Sequence, residues 1–270
     1  MNKIGFIGGG NMGGALASAA VKTVGAQNVL IVDRDEVTTA ACADRIGATA
    51  SSYAQIAAEC RVIFLAVKPN LVATAAANLM SYIHNNNVDL GNCVIVSMAA
   101  GVPIATLASL FGAKAHIIRI MPNTPAAVGK GMIVYACSER VTEEDKSAFV
   151  EAMSAAGKLD VIDESKIDAA TGVMGCGPAY AYQFIEALAD GGVACGLTRA
   201  QAQLYAAQTL LGAAEMVLST GKHPGELKDA VCSPGGSTIQ GVRVLEEGGL
   251  RGTVIDAVIA AYEKTKDLGK

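Results

Sequence analysis

The sequence predicts an α/β fold, a doubly wound and mostly parallel sheet, followed by an all-α region. Three observations predict it. Short β-branched runs alternate with helical stretches as far as Asp163, those runs are apolar nearly throughout, and beyond Asp163 no strand pattern remains. Continuous hydrophobicity within strands marks a sheet covered on both faces, and strand–helix alternation is what builds one. The expected domains are therefore residues 1–163 and 164–270.

The elements follow in order. KIGFIG (Lys3 to Gly8), NVLIVD (Asn28 to Asp33), RVIFLAV (Arg61 to Val67), CVIVSMA (Cys93 to Ala99) and HIIRIMP (His116 to Pro122) read as strands. Stretches such as MGGALASAAVKTV and LVATAAANLMSYI supply the helices between them. The apolar run from Cys93 to Gly112 is as long as a membrane span, but Gly101 and Pro103 divide it into a strand, a turn and a helix. Two later strands, Met132 to Cys137 and Lys158 to Asp163, flank a helix around TEEDKSAFVEAMSAA. In the second region Tyr180, Phe184, Ile185 and Leu188 recur at helical spacing. The next helix opens on a capping-box pattern, Thr198 with Gln201. Its middle is apolar on most sides, so a second subunit is the expected cover.

With 51% hydrophobic and 17% charged residues the chain is too apolar for disorder. A net charge of −4 with scattered basic residues argues against nucleic-acid and anionic-membrane partners. The start, MNKIGFIGGG, lacks signal-peptide patterning. Seven dispersed cysteines without a CxxC suggest neither metal nor redox dithiol, and free thiols fit a reducing cytoplasm.

GFIGGGNMGGAL places Gly8-x-Gly10-x-x-Gly13 between a strand and a helix. The first glycine permits a tight turn, the second admits a pyrophosphate, the third lets helix and strand pack closely, and the helix N-terminus offers N–H donors. Asp33 closes the second strand about 20 residues on, completing a Rossmann-type dinucleotide fingerprint. Asp33 favours NAD through the ribose 2′-hydroxyl, whereas Arg34 favours NADP by pairing a 2′-phosphate; both remain open. AVKPN (Ala66 to Asn70), SMAAG (Ser97 to Gly101) and RIMPNTPAAVG (Arg119 to Gly129) end strands at the same edge. Ala99, Ala100 and Gly101 leave room for a nicotinamide ring, and Lys68 and Asn123 are candidate ribose or carboxamide partners. A solvated lysine explains Lys68 equally well.

Gly175-Cys176-Gly177-Pro178 precedes a helix and suits a helix start. Cys176 has no histidine nearby in sequence, and none of His84, His116 and His223 sits in a catalytic motif. The stretch AVCSPGGSTIQG (Ala230 to Gly241) holds a proline, two adjacent glycines and three hydroxyl side chains, but no charge. Ser237 and Gln240 have capping-box spacing, so a helix is expected to begin there with its amides facing the loop. Such a neutral nest suits a small organic anion, a carboxylate, without a buried counter-charge.

Gly8-Gly9-Gly10-Asn11-Met12-Gly13, AVKP (Ala66, Val67, Lys68, Pro69), MPNTP (Met121 to Pro125), GCGPAY (Gly175 to Tyr180) and LKDAVCSPGGSTI (Leu227 to Ile239) together resemble pyrroline-5-carboxylate reductases from Lys3 to about Asp267. Two positions depart from the pattern: Cys176, usually serine, and Ser237, usually threonine or alanine. The resemblance implies a Rossmann domain with an all-helical dimerisation domain, NADPH or NADH as coenzyme, and reduction of 1-pyrroline-5-carboxylate to L-proline, the last step of proline synthesis. It implies a homodimer at least, extending to a decamer. It further implies that Ser233, Gly236, Ser237 and Thr238 hold the substrate carboxylate and ring nitrogen, with Glu164 and the Ala230 backbone lining the pocket. Thr238 is the candidate partner of the ring nitrogen.

Three other readings compete. A 3-hydroxy-acid dehydrogenase joins the same two domain types but needs a lysine acid/base, and Lys166, Lys222 and Lys228 show no such setting. A deazaflavin-linked NADP reductase explains only the N-terminal pattern. A non-catalytic coenzyme sensor has no need of a second anion site.

Overall fold

The computed structural model describes residues 3–85 and 93–268. β1 (Lys3–Ile7) leads through the glycine loop into α1 (Asn11–Val24). β2 (Val29–Val32), α2 (Glu36–Ile46), β3 (Thr49–Ala50), α3 (Tyr53–Glu59), β4 (Cys60–Leu65), α4 (Val72–Asn85), β5 (Val94–Ser97), α5 (Ile104–Phe111) and β6 (His116–Met121) continue the alternation. β7 (Gly131–Cys137), α6 (Glu143–Met153) and β8 (Gly157–Val161) close the sheet. A short α7 (Ile167–Ala170) passes into a π-helical turn, Thr171–Gly175. Thereafter all described elements are helical: α8 (Gly177–Ala194), α9 (Arg199–Thr220), α10 (Pro224–Ala230), α11 (Ser237–Glu247) and α12 (Leu250–Leu268).

The expected strands all form, and the sheet has eight, in the order β3-β2-β1-β4-β5-β6-β7-β8. The additional one, β3, is a two-residue exposed strand beside β2. β6 and β7 pair antiparallel and every other neighbouring pair is parallel. Alternation sorts the core between two faces. Ile4, Phe6, Val62 and Phe64 pack with α1 and α6 residues, while Ile7, Ile63, Leu65 and Ile95 pack with α4 and α5 residues. Phe6 and Phe64 stand opposite each other in register, and their rings stack 4.5 Å apart. Gly5 lets α3 approach, because a Cβ there would lie 2.6 Å from Ile56 Cγ2.

Compactness divides the chain between Cys176 and Gly177, with residues from Ala261 onward counted in the first unit. The division expected at Asp163/Glu164 instead marks where strands give way to helices. In the second unit, Gly177–Ala260, the buried side chains are small. Ala189 on α8 meets Ala202 and Ala206 on α9, and a Cβ on Gly192 would lie only 3.2 Å from that of Ala202.

Candidate active site

The sheet order reverses around β1, and open α/β sheets bind ligands beyond the strand ends at such a point. Register brings the motif residues to one level there. Ile7 pairs Val32 on one side and Leu65 on the other, so Gly8, Asp33 and Ala66 follow side by side. Gly8 N–H donates to Val32 O at 2.7 Å, and Ala66 N–H to Ile7 O at 2.8 Å. The loop then requires glycine at two positions. Gly8 has φ +115° and its Cβ would sit 2.3 Å from Ala66 O, while a Cβ on Gly13 would sit 2.3 Å from Gly8 O.

Above this edge lies a cleft of about 420 Å³ lined by Gly8, Gly10, Asp33, Arg34, Ala66, Val67 and Lys68 among the expected residues. Tyr53, Asn70, Leu71, Thr74 and Asn78 also line it. Tyr53 and Asn78 come from α3 and α4, whose packing on this face has no local sequence signal. Burial pushes the Tyr53 phenol up, and a hydrogen bond with Asn78 partly offsets this. Asn11, Met12 and Gly13 open α1 and Pro69 begins the turn after β4, but they do not line the cleft. Ala99 is buried beyond β5, just before Gly101 with φ +73°.

Two expected side-chain contacts are committed elsewhere. Asn123 is 8% exposed; its amide donates to Met174 O at 2.9 Å and its oxygen accepts from Met132 N–H at 2.8 Å. It braces the turn after β6 with its oxygen and one amide N–H. Glu164 Oε1 accepts from Ile104 N–H at 2.7 Å and from Arg119 at 3.2 Å, thereby capping α5. Arg119, 5% exposed, also pairs Asp168 at 3.0 Å.

Helix N-termini separate clearly into closed and open. Asp35, Ser52, Thr142 and Thr198 cap α2, α3, α6 and α9 with their side chains. α1 and α11 start from glycine N-caps, Gly10 and Gly236, with no side-chain cap and no acidic residue in the first turn. Uncapped first-turn amides with no acid nearby form an anion site. α1 opens at the cleft, and α11 opens at the uncharged loop.

That loop is a β-turn. Gly236 N–H donates to Ser233 O at 3.0 Å, Pro234 occupies the second position, and Gly235 has φ +71° at the third, the type II pattern. A Cβ on Gly236 would fall 2.3 Å from Ser233 Oγ, so glycine there allows the hydroxyl to lie against the backbone. The capping box expected from Ser237 and Gln240 does not form. The turn ends one residue earlier, making Gly236 the N-cap, and Gln240 Oε1 instead accepts from Arg243 at 3.3 Å. Ser237 and Thr238 are thus the first two helical residues, exposed along with Ser233 and Ala230. The loop amides are consequently freer than the spacing suggested.

Among the described residues the cysteines form no disulfide, and burial pushes the Cys60 thiol up to about 12, where it is inert. Among the described residues no cluster of three or more His, Cys, Asp or Glu is placed to hold a metal ion, and no helix is long and apolar enough to cross a membrane.

Residues 164–268 match the family model described as pyrroline-5-carboxylate reductase dimerisation. Residues 3–101 match the model described as NADP oxidoreductase, coenzyme F420-dependent. The pyrroline-5-carboxylate reductase of Escherichia coli strain K12 is 43% identical over 99% of this chain and 98% of its own length. The solved structure of a Coxiella burnetii pyrroline-5-carboxylate reductase superposes with TM-score 0.88 at 31% identity, covering 100% of this chain and 99% of that one. A Plasmodium falciparum pyrroline carboxylate reductase, solved with NADP bound, gives TM-score 0.85 at 34% identity, covering 100% and 98%. With an open glycine loop in one unit, an open helix start behind an uncharged turn in the other, and relatives matched over both, the chain belongs to the pyrroline-5-carboxylate reductase family.

Proposed function

We propose that the protein reduces 1-pyrroline-5-carboxylate to L-proline with NADPH or NADH, and that residues 164–270 form its substrate-binding and dimerisation part. The observation that carries this reading is the uncapped N-terminus of α11 behind the uncharged Ser233–Gly236 turn. A carboxylate bound there receives main-chain N–H groups and the positive end of a helix, and no buried cation needs a partner when the site is empty.

The glycine loop and α1 amides hold the pyrophosphate, Lys68 supplies a cation beside it, and the Ala99–Gly101 bend makes room for the ring. The bound dinucleotide supplies the hydride. Ser233, Gly236 and Ser237 hold the carboxylate, and the Ala230 backbone lines the same pocket. Thr238 would accept or donate at the ring nitrogen and so orient the imine for reduction. The nitrogen gains a proton as the C=N bond is reduced. A hydroxyl is a weak acid, so Thr238 positions the nitrogen and passes a proton from water. Glu164 would line the pocket with its second carboxylate oxygen, since Oε1 caps α5.

The protein acts as a homodimer, which light scattering tests together with any decamer. Cysteines without disulfides suit the cytoplasm. The deciding experiment follows NAD(P)H oxidation with pyrroline-5-carboxylate, against 3-hydroxy acids plus NAD(P). Turnover of the imine alone is expected; oxidation of a hydroxy acid alone contradicts the reading. Thr238→Ala should lower kcat roughly 10- to 1000-fold, and near-normal kinetics remove its role.

A further inference from the structure

On the coenzyme reading proposed above, NADH and NADPH differ at the ribose 2′ position, and the residues that follow β2 line the cleft. A 2′-phosphate carries about −1.5 to −2 charges and needs donors or cations around it. Several main-chain donors of this corner are bound by the protein's own side chains. Asp33 Oδ2 accepts from Gly9 N–H at 2.8 Å. Asp35 accepts from Val37 N–H at 3.3 Å, from Thr38 N–H at 3.0 Å and from the Thr38 hydroxyl at 2.6 Å. The Thr39 hydroxyl, which accepts from Asp33 N–H at 2.8 Å, lies 3.1 Å from Asp35 O as a donor.

The N-terminus of α2, which would otherwise attract a phosphate, is therefore filled by Asp35, with Glu36 adding negative charge in the first turn. Hydrogen bonds from the Thr38 hydroxyl and amide hold the Asp35 carboxyl below its usual range, so it stays ionised at neutral pH. Arg34 is the cation of this corner, flanked in sequence by Asp33 and Asp35. The other cation lining the cleft, Lys68, follows β4, two strands from β2 across β1. A ribose 2′-hydroxyl meets the opposite situation, since Asp33 has lone pairs to accept it.

We infer that Asp33, with Asp35 closing α2, makes NADH the preferred coenzyme and rejects the 2′-phosphate of NADPH. The test measures dissociation constants by calorimetry for NADH, NADPH, ADP-ribose and 2′-phospho-ADP-ribose, without turnover. NADH and ADP-ribose should bind about tenfold or more tightly than their 2′-phosphorylated counterparts, a single like-charge contact being sufficient for this. Asp33→Asn keeps an oxygen for Gly9 N–H but loses the charge, and should narrow the gap by about tenfold. Asp35→Ser keeps a capping oxygen and should narrow it about threefold. Equal or tighter binding of NADPH by the wild type overturns the inference, as does an unchanged ratio in Asp33→Asn. The wild-type ratio decides alone if that variant fails to fold. Failure of all four ligands to bind overturns the coenzyme reading along with the inference, whereas tight binding with NADPH favoured overturns the inference alone.

Discussion

The two units bury their apolar residues in opposite ways. In the coenzyme unit Phe6, Phe64, Phe149 and the strand isoleucines are fully buried. In the helical unit Ala189, Ala202 and Ala206 make the buried cluster, while Leu204, Leu211 and Leu218 are 65%, 55% and 59% exposed. These leucines recur every seven residues, a continuous stripe along α9. A fully buried leucine is worth about 2 kcal/mol, and an uncovered stripe forgoes it. The contrast teaches that a sheet with helices on both faces finishes its core within one chain. A set of long helices finishes its core by assembly, in line with the dimerisation model that the region matches.

The largest effect expected from this comparison comes from Leu204→Arg combined with Leu211→Arg. Charges on the stripe should abolish assembly and with it nearly all proline formation, leaving the NADH dissociation constant within about twofold. Light scattering, turnover and calorimetry on one preparation check this.

Within the coenzyme unit the sharpest lesion lies at the opposite edge of the sheet from the cleft. Asp145, fully buried, accepts from Arg61 at 2.7 Å, His116 Nδ1 at 2.6 Å, and the Thr142 amide and hydroxyl at 2.9 Å each. Burial works to raise its carboxyl, but the bonds from Thr142 and His116 and the charge of Arg61 outweigh it and hold the value below 3.8. Asp145→Asn should cost about 3 kcal/mol, seen in urea unfolding. Since the folded value is depressed, the wild-type carboxylate stabilises fully above pH 3.8 and loses that contribution as pH falls through the folded value. The variant should show a shallower acid slope there, with coenzyme affinity retained.

The smallest effect belongs to α9, where Thr198 and Gln201 do form the expected capping box. Thr198→Ala should cost about 1 kcal/mol in thermal unfolding of the helical unit, without touching the coenzyme.

Much of this was legible because it is local. The strands announced themselves by β-branched runs, the coenzyme loop by glycine spacing, and Asp33 by its distance from that loop. What escaped was tertiary. β3 is two exposed residues, too short to show alternation. The π turn at Thr171–Gly175 has the composition of ordinary helix. Asn123 and Glu164 looked available to ligands, but their partners, Met174, Met132, Ile104 and Arg119, come from other elements. At Ser237 the spacing pointed to a cap, and the Ser233–Gly236 turn closed one residue too soon for it.

A crystal structure of the protein with L-proline and NADH tests the central claim most directly. The proline carboxylate should rest on Ser233, Gly236 and Ser237 at the start of α11, with its ring nitrogen at the Thr238 hydroxyl and the α9 leucines covered by a second copy. Proline bound away from α11, with that turn empty and facing solvent, would contradict the account.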